Sequence, residues 1–243
     1  LPYTTLFRSA RRFLGGSGLA AWYLFRETSP GLDPLGPDNK LIFLTGPLTG
    51  TPSPSSGRFS AVAKSPLTGF WGSSNSGGRF GLDFKKTGYD GLIIEGAAEA
   101  PVALVVDDEG ARLESAADIW GLKVPEAAAR LKEKHGAKTN AALIGPAGEN
   151  LVRFAAIMND VHRALGRCGL GAVMGSKKLK AVVAGGTRKI NLADKKNFAA
   201  AAKTARNFVN ESLLKMTLEV YGTNMVLDMV NVKGGLPTRN WQS

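Results

Sequence analysis

The chain is poor in the residues that usually announce chemistry. Among 243 residues there is one cysteine, Cys168, and two histidines, His135 and His162. A lone cysteine excludes an intrachain disulfide, and excludes a cysteine-only zinc or iron–sulfur site built by this chain alone. Long apolar runs are missing too. Leu41–Leu44 and Leu92–Ile94 are strand-sized, far short of the roughly 20 residues that span a bilayer. No basic start followed by a long apolar run marks an export signal, so a cytoplasmic location and no membrane partner are expected. Acidic residues are scarce: 20 Asp and Glu against 31 Lys and Arg leave a formal charge of +11. That excess would suit nucleic acid. The basic residues are scattered, however, with few aromatics among them and no recognition-helix pattern, so no nucleic-acid partner is expected. An anionic cofactor or an acidic partner surface fits the charge. There is no initiator Met. Leu1–Ser9 (LPYTTLFRS) is unlike the rest of the chain and reads as a cloning or sequencing remnant. The last residues, GGLPTRNWQS, stop as a turn opens. A fragment is expected.

What is abundant is glycine, proline, serine and threonine, concentrated in Thr45–Leu82. One strand candidate, Arg58–Ala63, sits inside this stretch, and apolar strand candidates flank it. Breakers packed between strands mark tight turns. Serial backbone N–H groups in such turns can cradle an anion. Arg58, Arg79, Lys64 and Lys85 supply positive charge beside them. A phosphate-bearing ligand site and a plain turn-rich basic surface both satisfy this composition.

The remaining elements are read from periodicity and punctuation. Ala10–Glu27 reads as a helix interrupted early by Gly15, Gly16 and Gly18. GGSG has neither a GxGxxG spacing nor a Walker lysine, so close packing is the preferred reading. Lys40–Leu44 and Gly91–Glu95 read as strands. Pro101–Val106 and Ala111–Glu114 form a hairpin whose acidic tip, Asp107–Glu109, is taken as solvated rather than metal-binding. Val124–Lys134 is an amphipathic helix ending near His135. Ala141–Ile144, Arg153–Met158 and Leu179–Ala184 read as strands. From Leu192 the pattern turns helical, over Ala193–Val209 and Glu211–Val232. A boundary near Gly185–Asn191 divides the chain into 10–190 and 191–243.

The two breaker-rich regions resemble each other. Gly46-Pro47 answers Gly145-Pro146, and Arg58-Phe59 answers Arg153-Phe154. Gly81-Leu82 answers Gly171-Ala172, and Gly91–Ile94 answers Ala181–Ala184. Repetition implies two related halves offering equivalent turns about a pseudo-two-fold axis. A doubled anionic ligand suits such an axis. A duplicated scaffold without a site is the alternative. Shifted by the 90-residue offset of the last strand, Asn75 lands on Leu165, one residue after Ala164.

TGPLTGTPSPSSGR, KSPLTG, SNSGG, KKTGYDGLIIEG, IGPAGENLVRFAAIMND and GRCGLGAVMGSKKLKAV, in that order, resemble the N-terminal domain of the tungsten-containing aldehyde ferredoxin oxidoreductase family. The resemblance is close over Phe13 to about Ile190. It implies an α+β fold: two β-sheets from the internal duplication form a cofactor platform, followed by the start of a helical domain. It implies a tungsten bis-pterin, with molybdenum as a variant metal, and a magnesium bridging the two pterin phosphates. Carried over motif by motif, Arg58 contacts one phosphate, and Ser76 and Gly77 line the same pterin. Arg163 and Ala164 serve the other phosphate. The backbone carbonyls of Asn75 and Ala164 face the magnesium. The implied activity is oxidation of a small aldehyde to a carboxylate with ferredoxin as electron acceptor, and a homo-oligomer is compatible with it. The family's [4Fe-4S] cysteines would lie beyond Ser243, and the fragment would be inactive alone. Ser17 stands where the family often has arginine. Alternatives are a reductase of an aromatic acyl thioester or carboxylate, and a non-enzymatic phosphate- or nucleic-acid-binding module. No residue of this stretch is expected to be catalytic. Cys168 reads as a small buried residue, His162 as locally hydrogen-bonded, Glu149-Asn150 as a turn cap, and Lys177-Lys178 as solvent-facing.

Overall fold

The computed structural model describes residues 9–241. Leu1–Arg8, most of the segment read as a remnant, lie outside the described residues. The chain divides into two compact units. One holds the residues up to Thr51 and Ser55–Asn191; the other holds Pro52–Pro54 and the residues from Leu192.

The larger unit contains two sheets. The first comprises β1 (Leu41–Thr45), β2 (Phe59–Lys64), β3 (Trp71–Ser76) and β4 (Gly91–Ile94), ordered β3-β2-β1-β4 and antiparallel throughout. The second comprises β5 (Val102–Asp107), β6 (Gly110–Ser115), β7 (Asn140–Leu143), β8 (Ile157–Asn159), β9 (Arg163–Leu165) and β10 (Leu179–Ala184), ordered β6-β5-β10-β7-β8-β9. Only the β10–β5 pair is parallel. Helices of this unit that follow a short helical stretch at residues 9–13 include α1 (Gly16–Glu27), α2 (Phe80–Lys85), α3 (Val124–His135), α4 (Pro146–Glu149) and α5 (Leu170–Ser176).

Sequence explains the layering. β1 (LIFLT) and β10 (LKAVVA) are buried at every position, as near-continuous apolar runs should be when both sheet faces are covered. Alternation sorts the faces. Leu41 and Phe43 point into a core with Phe59, Phe80 and Phe84, where residues of both sheets and of α2 and α5 meet. Ile42 and Leu44 point outward, onto Leu19, Ala20 and Leu24 of α1. On the second sheet, Ala103, Ala181 and Val183 meet Ala127, Ala128 and Leu131 of α3.

The same strand order recurs: β3-β2-β1-β4 is matched by β9-β8-β7-β10 within the larger sheet. The ladders fix the register of the match. Gly91 faces Leu44, which faces Ser60, which faces Asn75. Ala181 faces Leu143, which faces Met158, which faces Ala164. On this register Asn75 corresponds to Ala164, not Leu165, and Phe59 corresponds to buried Ile157. The pairing of Arg58-Phe59 with Arg153-Phe154 is therefore corrected, since Phe154 is exposed in the turn before β8. Gly81 and Gly171 behave alike. A methyl on Gly81 would press on the Gly57 carbonyl at 3.0 Å, and one on Gly171 on the Ala155 carbonyl at 2.8 Å.

Other differences have local causes. The expected helix from Ala10 is split, because Leu14 and Gly15 take positive φ and a side chain at Gly15 would meet the Thr45 carbonyl at 2.8 Å. That close approach agrees with the packing role expected for GGSG. WGSSNS forms β3 despite its weak strand propensity, being paired along its whole length with β2. The strand expected at Arg153–Met158 shortens to β8, because Leu151 turns at φ 57 and Ala155 closes a turn onto Val152.

In the smaller unit, α6 (Lys195–Asn210) begins at an Asp194 cap that accepts from the Asn197 N–H. The helix expected over Glu211–Val232 is broken at Gly222, φ 59, into α7 (Leu213–Tyr221), a 3₁₀ turn (Gly222–Val226) and α8 (Leu227–Val232). Among its described residues only Ala202 is buried. No helix among the described residues is long and apolar enough to cross a membrane.

Candidate functional site

Strands β3 and β9, the edge strands of the two matched sets, lie alongside each other. Their seam is tied at both ends. At one end a methyl on Gly72 would sit 2.9 Å from Cys168 Cβ, and the Cys168 thiol reaches the Ser73 carbonyl at 3.6 Å. Cys168 is half-buried rather than buried, and its carbonyl accepts from Ser65 Oγ at 2.8 Å. At the other end Asn159 Nδ2 donates to the Gly77 carbonyl at 2.8 Å, and the Arg79 N–H donates to Asp160 Oδ2 at 2.5 Å.

Arg58 and Arg163 converge on this second end. Arg58 precedes β2 and reaches across to β3, donating from Nε to Asn75 Oδ1 at 2.6 Å and from Nη2 to the Asn75 carbonyl at 3.4 Å. Arg163 opens β9. A methyl built on Gly77 would stand 3.5 Å from Arg163 Nη1 and 3.8 Å from Arg58 Nη1. Both side chains are exposed, and neither makes an ion pair among the described residues. Two guanidinium groups brought near one glycine favour an anion, and their planar forks match phosphate; the Asp160 carboxylate stands beside Arg163 on the Gly78 side. Asn75 and Ala164 lie within the seam, both exposed, while Ser76 is buried, so Ser76 offers backbone rather than hydroxyl.

The profile described as "Aldehyde ferredoxin oxidoreductase, N-terminal domain" matches residues 4–186. The chain belongs to that family. It is 47% identical over 236 residues to the tungsten-containing aldehyde ferredoxin oxidoreductases of Pyrococcus furiosus and of Thermococcus kodakarensis, with 96% of this chain and 39% of each relative covered. The chain thus spans about two fifths of the length of those relatives. Among solved structures it is similar to the active-site complex BamBC of benzoyl coenzyme A reductase in complex with 1,5-dienoyl-CoA. That likeness has a TM-score of 0.81 at 32% identity, covering 84% of this chain and 31% of the other. Two sheets with associated helices are therefore shared with that reductase.

The seam carries donors and acceptors suited to a phosphate-bearing group with a hard cation. Paired guanidiniums suit phosphate, and strand-edge carbonyls are the hard oxygen donors magnesium takes. Two buried oxygens at the same end, Asn159 Oδ1 and Asp160 Oδ1, have no hydrogen-bond partner among the described residues. Among the described residues, no cluster of three or more His, Cys, Asp or Glu side chains is arranged to hold a metal ion.

Several residues behave otherwise than their sequence suggests. Lys177 is buried, not solvent-facing, and donates to the Pro37 and Gly96 carbonyls at 3.1 and 2.9 Å. Burial among neutral acceptors pushes its pKa down to about 8. Glu149 is an ion-pair partner of fully buried Lys180, whose Nζ also donates to the Leu122 carbonyl at 3.0 Å. The acidic hairpin tip is engaged: Asp107 pairs with Arg112, which holds its carboxyl below the ordinary range, and Asp108 accepts from Thr187. Asn159 and Asp160 escaped notice because Asn-Asp at a strand end reads as an ordinary turn.

Proposed function

We propose that this chain is the cofactor-binding N-terminal part of a tungsten-pterin oxidoreductase that oxidises a small aldehyde to a carboxylate and passes electrons to ferredoxin. The observation that carries this reading is the convergence of Arg58 and Arg163 on Gly77, at the seam between two strands of matched topology. In this reading Arg58 and Arg163 each neutralise one pterin phosphate. Gly77 and the backbone of Ser76 line the first pterin. The carbonyls of Asn75 and Ala164, equivalent in strand register, face one magnesium from opposite halves. The bound tungsten supplies the two-electron chemistry; this chain supplies position and charge balance. The matched strand order favours descent of both halves from one duplicated unit, with the helical unit from Leu192 as the start of a second domain. The [4Fe-4S] cluster, the aldehyde pocket and the ferredoxin surface belong to the part of the enzyme beyond this chain. A cytoplasmic homo-oligomer suits the reading.

The test is metal and pterin content of the full-length protein. Arg58→Ala is expected to lose most bound tungsten and pterin while remaining folded. Full retention would contradict the assignment.

The likeness to benzoyl coenzyme A reductase supports a second reading, a tungsten-dependent reductase of an aromatic acyl thioester. Turnover of benzoyl-CoA but not of aldehydes by the full-length protein would favour it.

A further inference from the structure

The turn between β8 and β9 has features that the phosphate-binding reading does not use. Asp160 and Val161 both have positive φ, 49° and 64°. That conformation is unfavourable for ordinary side chains, and for a β-branched valine it is a true outlier. Consecutive residues held there need surrounding structure to over-determine them. Here the determining contacts reach across to the other sheet. Asp160 Oδ2 accepts the Arg79 N–H, Asn159 Nδ2 donates to the Gly77 carbonyl, and a methyl on Gly78 would overlap the Asp160 carboxylate. Gly78 itself has φ 96. The same methyl would stand 2.7 Å from Arg163 Cδ. The Gly77–Arg79 turn of one half is therefore gripped by Asn159 and Asp160, which open the turn leading to Arg163 of the other half. The grip continues inward: the Arg79 guanidinium approaches Asp83 Oδ1 at 3.4 Å, and Asn140 of β7 donates to Asp83 Oδ2 at 2.6 Å.

We propose that Asp160 is a positioning residue for the anion site: its carboxylate anchors the Arg79 N–H and so sets the separation at which Arg58 and Arg163 meet. Asp160 does not touch the anion; it acts through the Gly77–Arg79 turn. Asn159 supports it from the same turn. The inference rests on the anion-site reading above.

The experiment uses the full-length protein purified without cofactor and measures magnesium pyrophosphate binding by calorimetry, beside a melting curve. Arg58→Ala is the control for the site itself. Asp160→Ala is expected to weaken pyrophosphate binding about ten-fold, the scale of one lost charge-assisted hydrogen bond. Asp160→Asn keeps an acceptor oxygen and drops the charge; it is expected to bind at least as well as the wild type. A merely structural Asp160 would lower the melting temperature of both variants and leave the affinity of the folded protein unchanged. Unchanged affinity in Asp160→Ala, or no recovery in Asp160→Asn, overturns the proposal. If Asp160→Ala does not fold, Asp160→Glu decides: the longer carboxylate displaces the turn and lowers affinity, and wild-type affinity there overturns the inference. Loss in Arg58→Ala without loss in the Asp160 variants refutes only the positioning role. No loss in Arg58→Ala refutes the anion site.

Discussion

Single residues carry most of the constraint at the seam. Gly78 combines positive φ with no room for a side chain, so Gly78→Ala is expected to lower stability by about 2–4 kcal/mol in chemical denaturation. Buried charge sets two further expectations. Lys180 and Glu149 form a buried pair, and removing one partner strands the other. Glu149→Gln should therefore cost about 3–5 kcal/mol, measured the same way. Lys177 gives a pH dependence whose direction is set by its environment. Its folded-state pKa, near 8, lies below the ordinary 10.5. Between those values the unfolded chain binds the extra proton, so stability contributed by this group rises with pH across about 8 to 10.5. Below pH 8 the full cost of burying the ammonium is present. Lys177→Met should flatten that rise in urea melts, and a variant with an unchanged slope would assign the rise elsewhere. None of these roles is visible in the sequence, where Lys177, Glu149 and Asp160 look like ordinary solvated or turn residues. What decides them is which backbone carbonyl or sheet edge the fold brings alongside, and that is non-local.

At the scale of elements, the long apolar strands were legible because their chemistry is local. LIFLT and LKAVVA have the composition of strands covered on both faces, and the 101–115 hairpin has an alternating pattern with a tight acidic turn. β3 was not legible. WGSSNS carries little strand propensity, and its conformation is dictated by the six-residue ladder with β2. α2 and α5 were hidden for a related reason, since Gly81 and Gly171 pack on carbonyls of the segments leading into β2 and β8 rather than signalling a break. The matched strand order was partly readable from paired glycines, but its register was not. Only the ladders assign Asn75 to Ala164 and free Arg153-Phe154 from their apparent counterparts. The turn from α5 into β10 offers a test at this scale. Lys178 is exposed with φ 52, and Lys178→Gly should stabilise the protein by roughly 1 kcal/mol by relieving that conformation. A destabilised variant would show that its contact with the Glu99 carbonyl outweighs the strain.

The whole molecule presents two matched strand sets whose edges meet, with arginines of both sets at one end of the junction. The sequence resemblance named the family and the residues; the ladders and guanidinium positions give those residues a shared location. The helical unit is different in kind, with a single buried residue among those described. Limited trypsin digestion is expected to cut first at Lys189, Lys195 or Lys196 and leave the two-sheet unit intact; early cleavage within the sheets would contradict the division. The account as a whole is tested most directly by the crystal structure of the full-length protein with its cofactor bound. It predicts a cation about 2.1 Å from the carbonyl oxygens of both Asn75 and Ala164, with one phosphate on Arg58 and another on Arg163. A bound cofactor whose phosphates lie away from both arginines, with no ion between those carbonyls, would contradict it.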